Sequence, residues 1–101
     1  MIKHIVMWKL KDSANGKTKA ENAAIIKEML EALNDRIPLI QYAQVGINMN
    51  DSEAAYDAVL VSEFLSTEDL NAYQIHPEHI KVSDFVKTVR TDRVVVDYEL
   101  A

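Results

Sequence analysis

Cysteine is absent from the 101-residue chain, which excludes disulfides, thiolate metal sites and a thiol nucleophile, and fits a reducing compartment such as the cytoplasm. Only two glycines and two prolines occur, so no stretch has the composition of a flexible or proline-rich linker, and a single domain over residues 1–101 is expected. No apolar run approaches the roughly 20 residues of a membrane span. The opening "MIKHIVMWKLKD" is interrupted by Lys3, His4 and Lys9 and reads as a buried strand rather than a signal segment. Positive charge is also scarce, with 11 Lys and Arg against 16 Asp and Glu and a formal charge of -5. The nearest approach to a basic cluster, Lys9, Lys11, Lys17 and Lys19, is diluted by Asp12. Neither nucleic acid nor an anionic membrane is therefore expected as a partner. What remains is a chain 49% hydrophobic and 27% charged, the composition of an ordered globular core.

From Ile2 to Leu10 the side chains fall into two alternating sets, Ile2, His4, Val6, Trp8 and Leu10 against Lys3, Ile5, Met7 and Lys9. Both sets are apolar in the middle, so this strand needs cover on both faces. "DSANGK" reads as a turn, and Thr18 with Glu21 has the spacing of a capping box. Ala23, Ile26, Leu30, Leu33 and Ile37 then recur at helical intervals up to Pro38. Residues 40–47 and 56–65 are rich in β-branched and aromatic side chains and predict an antiparallel pair. Ser66 is placed to cap a short helix ending near Tyr73, and Pro77 to begin another over Glu78 to about Val86. "DRVVVDYEL" closes the chain as a strand. The order β-α-β-β-α-β is ferredoxin-like, an α+β fold with a four-stranded antiparallel sheet and helices on one side.

Such a sheet leaves one face uncovered. Assigning Val6, Trp8, Tyr42, Leu60 or Val61, and Val96 or Val95 to that face gives a patch beyond the few hundred Å² a soluble monomer usually exposes. The expected cover is a second copy related by a two-fold axis, making a homodimer.

"YQIHPEH", residues 73–79, holds two of the three histidines and one of the four tyrosines. With a break at Pro77, the phenol of Tyr73 and the imidazole of His79 can point into one hollow. In the first turn of a helix His79 is biased toward the neutral form, able to accept a proton. A neutral imidazole beside a phenol suits proton abstraction next to a carbonyl, the histidine as base and Tyr73 as donor to the developing enolate. His4, on the set with Val6 and Trp8, is a third polar group if that set faces inward. Zinc held by His4, His76 and His79 is a weaker alternative, because Pro77 disturbs the face shared by the last two. The plain structural alternative makes His76 a helix-entry residue, Tyr73 a core cap and His4 a half-buried strand residue.

"KHIVMWKLKD", "YQIHPEHIKVSDFV" and "VVVDYE" together resemble the stress-responsive A/B barrel family, or Dabb proteins, across nearly the whole chain. The resemblance implies a dimeric α+β barrel with the last strands helping to join the subunits. Its cyclase members imply Tyr73 and His79 as a working pair, with the N-terminal histidine falling on His4. The wider superfamily, with its monooxygenases acting on aromatic substrates, keeps cofactor-free oxidation as another chemistry.

Three readings follow. The first is a homodimer that binds a small apolar or aromatic ligand in a pocket between sheet and helices, contacted by His4, Val6, Trp8, Tyr73, His76 and His79. The second is a cyclase-like enzyme with Tyr73 and His79 as catalytic residues, and the third a purely structural dimer module. None requires a cofactor or a metal.

Overall fold

Parity along the first strand decides which side of the sheet meets the helices. In the computed structural model, which describes residues 1–100, β1 (Ile2–Leu10) buries His4, Val6, Trp8 and Leu10 and leaves Met7 exposed. The helices therefore cover the His4–Val6–Trp8 set. This corrects the sequence expectation, which placed Val6 and Trp8 on the open face. Apolar character alone could not choose between two sets that are both oily. Lys3 and Lys9 carried the missing signal, since their long stems can lie along an apolar surface with the ammonium at its rim.

The segment after β1 forms a small hairpin, β2 (Ser13–Ala14) and β3 (Lys17–Thr18). Asn15 and Gly16 form its tip at φ of 56° and 74°, the left-handed pair that two-residue hairpins favour. Helix α1 (Lys19–Ala32) starts with the expected reciprocal cap: the Glu21 N–H donates to Thr18 Oγ1, and the Thr18 N–H donates to a Glu21 carboxylate oxygen. Its buried stripe of Ala23, Ile26 and Leu30 continues through a 3-10 turn at Leu33–Asp35 to Ile37.

Strands β4 (Tyr42–Ile47) and β5 (Ala58–Phe64) pair antiparallel. Ser66 Oγ accepts from the Asp69 N–H to open α2 (Thr67–Gln74). Helix α3 (Pro77–Val89) begins at the proline and runs longer than its sequence pattern suggested, passing without a loop into β6 (Arg90–Glu99). The four long strands form one antiparallel sheet in the order β4-β5-β1-β6. Among the described residues no helix is long and apolar enough to cross a membrane.

Strand pairing sorts the sheet into two faces. Val6, Leu60 and Val95 share the helix side, because Val6 is the cross-strand partner of both others. Leu60 and Val95 thus leave the open face, to which Val61 and Val96 belong as partners of Ile5. Tyr42 is on the open face, as expected, beside Glu63. The open face is a band of Ile5, Met7, Val61, Val94 and Val96, flanked by the half-exposed Tyr42 and Tyr98. On the helix side the cover stops short of the last strand, where Val95 is 49% exposed. That gap makes the groove described next.

Candidate functional site

Between α3 and the β1–β6 half of the sheet lies a cavity of about 410 Å³. Its sheet wall is Val6, Trp8 and Leu60, and its helix wall includes Leu30, Val82 and Val86. Polar residues line it too: His4, Gln74, His79 and Asp97 lie toward the start of β1 and of α3, and Lys87, Arg90 and Arg93 toward the other ends of those elements. A mostly apolar hollow with a few polar groups is the usual form of a small-molecule site.

The break between α2 and α3 positions the histidines. Helix α2 ends at Gln74, and His76 becomes the N-cap of α3, its Nδ1 accepting from the Glu78 N–H at 3.1 Å. Pro77 follows at the first helical position, where no N–H is needed. His79 then sits in the first turn of α3 and reaches back, so that its Nδ1–H donates to the Gln74 carbonyl at 3.0 Å. A carbonyl can only accept, so this bond puts the proton of the neutral ring on Nδ1 and leaves Nε2 with a free lone pair. Burial pushes the His79 pKa below its ordinary value, outweighing the Gln74 carbonyl, and the nearby His4 and Arg93 act in the same direction as burial. The ring is therefore a neutral acceptor near pH 7.

Behind His79 an aromatic stack leads into the core. Tyr73 lies 4.4 Å from His79 and 4.8 Å from Phe64, centroid to centroid. Tyr73 is only 2% exposed, and burial holds its phenol protonated far above the usual range, although the Arg93 charge opposes the shift. His4 meets both Phe64 and Tyr73 edge-on at 6.4 Å. Its Nδ1–H donates to the Asp97 carboxylate at 2.5 Å across the β1–β6 pair. Ser62 Oγ donates to the His4 carbonyl at 2.9 Å, fixing the backbone beneath it.

The structure thus gathers His4, Tyr73 and His79 into one cluster. His4, Val6, Trp8 and His79 form part of the cavity wall, whereas Tyr73 packs behind His79. His76 is set apart by its capping role and is not among the wall residues. Among the described residues no group of three or more His, Cys, Asp or Glu is arranged to hold a metal.

Sequence reasoning passed over Asp97 and the cations Lys87, Arg90 and Arg93. The signal was present: Asp97 interrupts an apolar strand, and β-alternation puts Arg93, Val95 and Asp97 on one face.

A profile of the stress responsive A/B barrel domain matches residues 2–100. The chain is 29% identical over 103 residues to the Arabidopsis thaliana stress-response A/B barrel domain-containing protein DABB1, covering 97% of this chain but only 46% of that one. It therefore spans less than half the length of that relative. It is 25% identical over 99 residues to olivetolic acid cyclase of Cannabis sativa, covering 96% of this chain and 94% of the cyclase. A crystal structure from Bacteroides fragilis, described as a dimeric protein of unknown function with a ferredoxin-like fold, superposes with a TM-score of 0.82. That protein is 35% identical, with 98% of this chain and 95% of that chain covered.

Proposed function

The chain belongs to the stress responsive A/B barrel family, and from that premise we propose that it works as a homodimer whose subunits each bind a small, largely apolar or aromatic ligand. The site is the hollow between sheet and helices. One observation carries the reading: a cavity of about 410 Å³, walled by Val6, Trp8, Leu60 and Val86, with the free Nε2 of His79 at one end. Burial of such walls around a ligand supplies the binding energy, and the polar groups orient it. His4 and His79 contact the ligand, and Tyr73 holds the His79 ring in place. No cofactor is invoked, and a cytoplasmic setting accords with the absence of cysteine.

The dimer half of the proposal rests on the open face. Val94, Val96 and Tyr98 are 38%, 53% and 44% exposed, a contiguous band that a soluble monomer rarely leaves wet. The Bacteroides fragilis protein, described as dimeric, gives independent support.

A second reading, proton transfer next to a carbonyl in the manner of a cyclase, is favoured by one detail. The Gln74 carbonyl fixes the His79 tautomer with Nε2 as acceptor, the arrangement a general base needs. The likeness to olivetolic acid cyclase points the same way.

Solution mass and a small-molecule screen test both. The first reading expects a dimer that binds aromatic or apolar compounds, with binding weakened in His79→Ala and no product from either protein. Product formed by the wild type and lost in His79→Ala selects the second reading. A monomer in dilute solution, or failure of the whole screen to bind, overturns the proposal.

A further inference from the structure

The cavity is electrically polarised along its length. β6 pairs Arg93 with Trp8, Val95 with Val6 and Asp97 with His4, so this strand carries a cation at one end of the hollow and an acid at the other. Four residues of strand separate the two ends, roughly 13 Å. Lys87 in the last turn of α3 and Arg90 at its C-cap join Arg93 at the cationic end. His79, in the first turn of the same helix, marks the opposite end.

These three cations are unmatched. Among the described residues Lys3, Lys19, Lys27 and Lys81 each have a carboxylate within 4.0 Å, whereas Lys87, Arg90 and Arg93, like Lys9, Lys11, Lys17 and Arg36, have none, and of these seven only Lys87, Arg90 and Arg93 line the cavity. The one acid lining the cavity, Asp97, is engaged by His4. The helix C-terminus contributes roughly half a negative charge there, which three full cations outweigh. Three cations lining one cavity in an otherwise acidic chain are a local reversal of its charge, and low-dielectric walls concentrate such a field. The charge of Arg93 reaches deep enough to oppose the upward shift of the Tyr73 phenol and to push down that of His79.

We propose that the ligand of this cavity is an amphipathic oxyanion: an elongated apolar body lying along Val6, Val82 and Val86, with a carboxylate or phosphate monoester held by Arg90, Arg93 and Lys87. The far end of that body then meets His79. Arginine forks suit either head group, which accepts two parallel N–H bonds. The inference rests on the ligand-binding reading above and narrows it to a chemical class.

Trp8 is the only tryptophan and forms part of the wall beside Arg93, so its fluorescence reports occupancy. Decanoate, decyl phosphate and decanol are titrated into the wild-type protein below their aggregation thresholds, with calorimetry alongside. At low salt either anion binds at least about tenfold more tightly than decanol, the scale of one charge-assisted contact. That preference shrinks as salt is raised. The double variant Arg90→Gln/Arg93→Gln binds the anions no better than decanol while leaving decanol affinity unchanged, and Arg36→Gln, outside the cavity wall, behaves as wild type. Equal affinity for decanol and both anions, or an equal loss in Arg36→Gln, overturns this inference and leaves the apolar cavity reading intact. Failure of all three compounds to perturb Trp8 or give heat overturns this inference, and the cavity reading falls with it only if the wider screen of aromatic and apolar compounds is also blank.

Discussion

Tyr73 and His79 belong to different helices, yet their ring centroids lie 4.4 Å apart with the rings tilted at 51°. One continuous helix, at about 3.6 residues per turn, would have aimed them at different faces. The interruption before Pro77 does two things together. It frees the Gln74 carbonyl to receive the His79 Nδ1–H, and it starts a new helix whose axis returns the imidazole to the phenol.

The depressed His79 pKa makes stability depend on pH. The folded state binds this proton less readily than the unfolded chain, whose value is near the ordinary 6.5. The stabilisation is fully present above 6.5 and is lost as pH falls from there toward the lowered folded value. Urea midpoints taken from about pH 8 down to about pH 5 should therefore decline on the acid side. His79→Gln should flatten that part of the profile, and an unchanged slope in the variant would exclude His79 as its source.

Tyr73 is wedged between Phe64 and His79 with 2% of its surface exposed. Truncation to alanine should cost about 3–5 kcal/mol through lost burial and the cavity left behind. Tyr73→Phe keeps the ring and should cost less than about 1.5 kcal/mol. Chemical denaturation of both variants checks the difference; similar losses would mean the phenol oxygen, rather than the ring, holds this part of the core.

The outer edge of β4 is closed by side chains of α1. A Glu31 carboxylate oxygen accepts from the Val45 N–H at 3.0 Å, and Lys27 Nζ donates to the Val45 carbonyl at 2.7 Å and to Glu31 at 2.8 Å. Lys27, more than the Val45 amide, holds the Glu31 carboxyl below its ordinary range. Glu31→Ala should destabilise by about 1 kcal/mol, a modest value because the carboxylate is partly solvated. The same substitution should speed hydrogen exchange at the Val45 amide, and exchange at the wild-type rate would show that Glu31 does not protect the edge.

On the open face Val61 faces Ile5 on one side and Gln44 on the other. Val61→Asp places a charge at the centre of the proposed dimer contact, where burial without a partner is costly. Sedimentation should find the variant monomeric with an unchanged far-ultraviolet spectrum. A dimer that survives the substitution would locate the subunit contact elsewhere.

Local signals in the chain were legible because local physics decides them. The Thr18–Glu21 and Ser66–Asp69 spacings named two helix starts, Pro77 named a third, and the stripe from Ala23 to Ile37 named the buried face of α1. The turn read in "DSANGK" is the Asn15–Gly16 tip of a hairpin, whose flanking strands, only two residues each, are too short to show a period of their own. Which face of β1 turns inward was not legible, since Ile5 and Met7 are as apolar as Val6 and Trp8 and only the burial of the second pair beneath the helices separates them.

By itself, then, the sequence determined an α+β chain with a capped first helix, a proline-split second helical region and an oily sheet, because capping, proline geometry and side-chain period act over a few residues. Only the tertiary structure decided that His4 would reach Asp97, and that Arg93 would face the hollow beside Trp8. Those contacts join residues at opposite ends of the chain, and strand register, set by the whole sheet closing on its helices, brings them together.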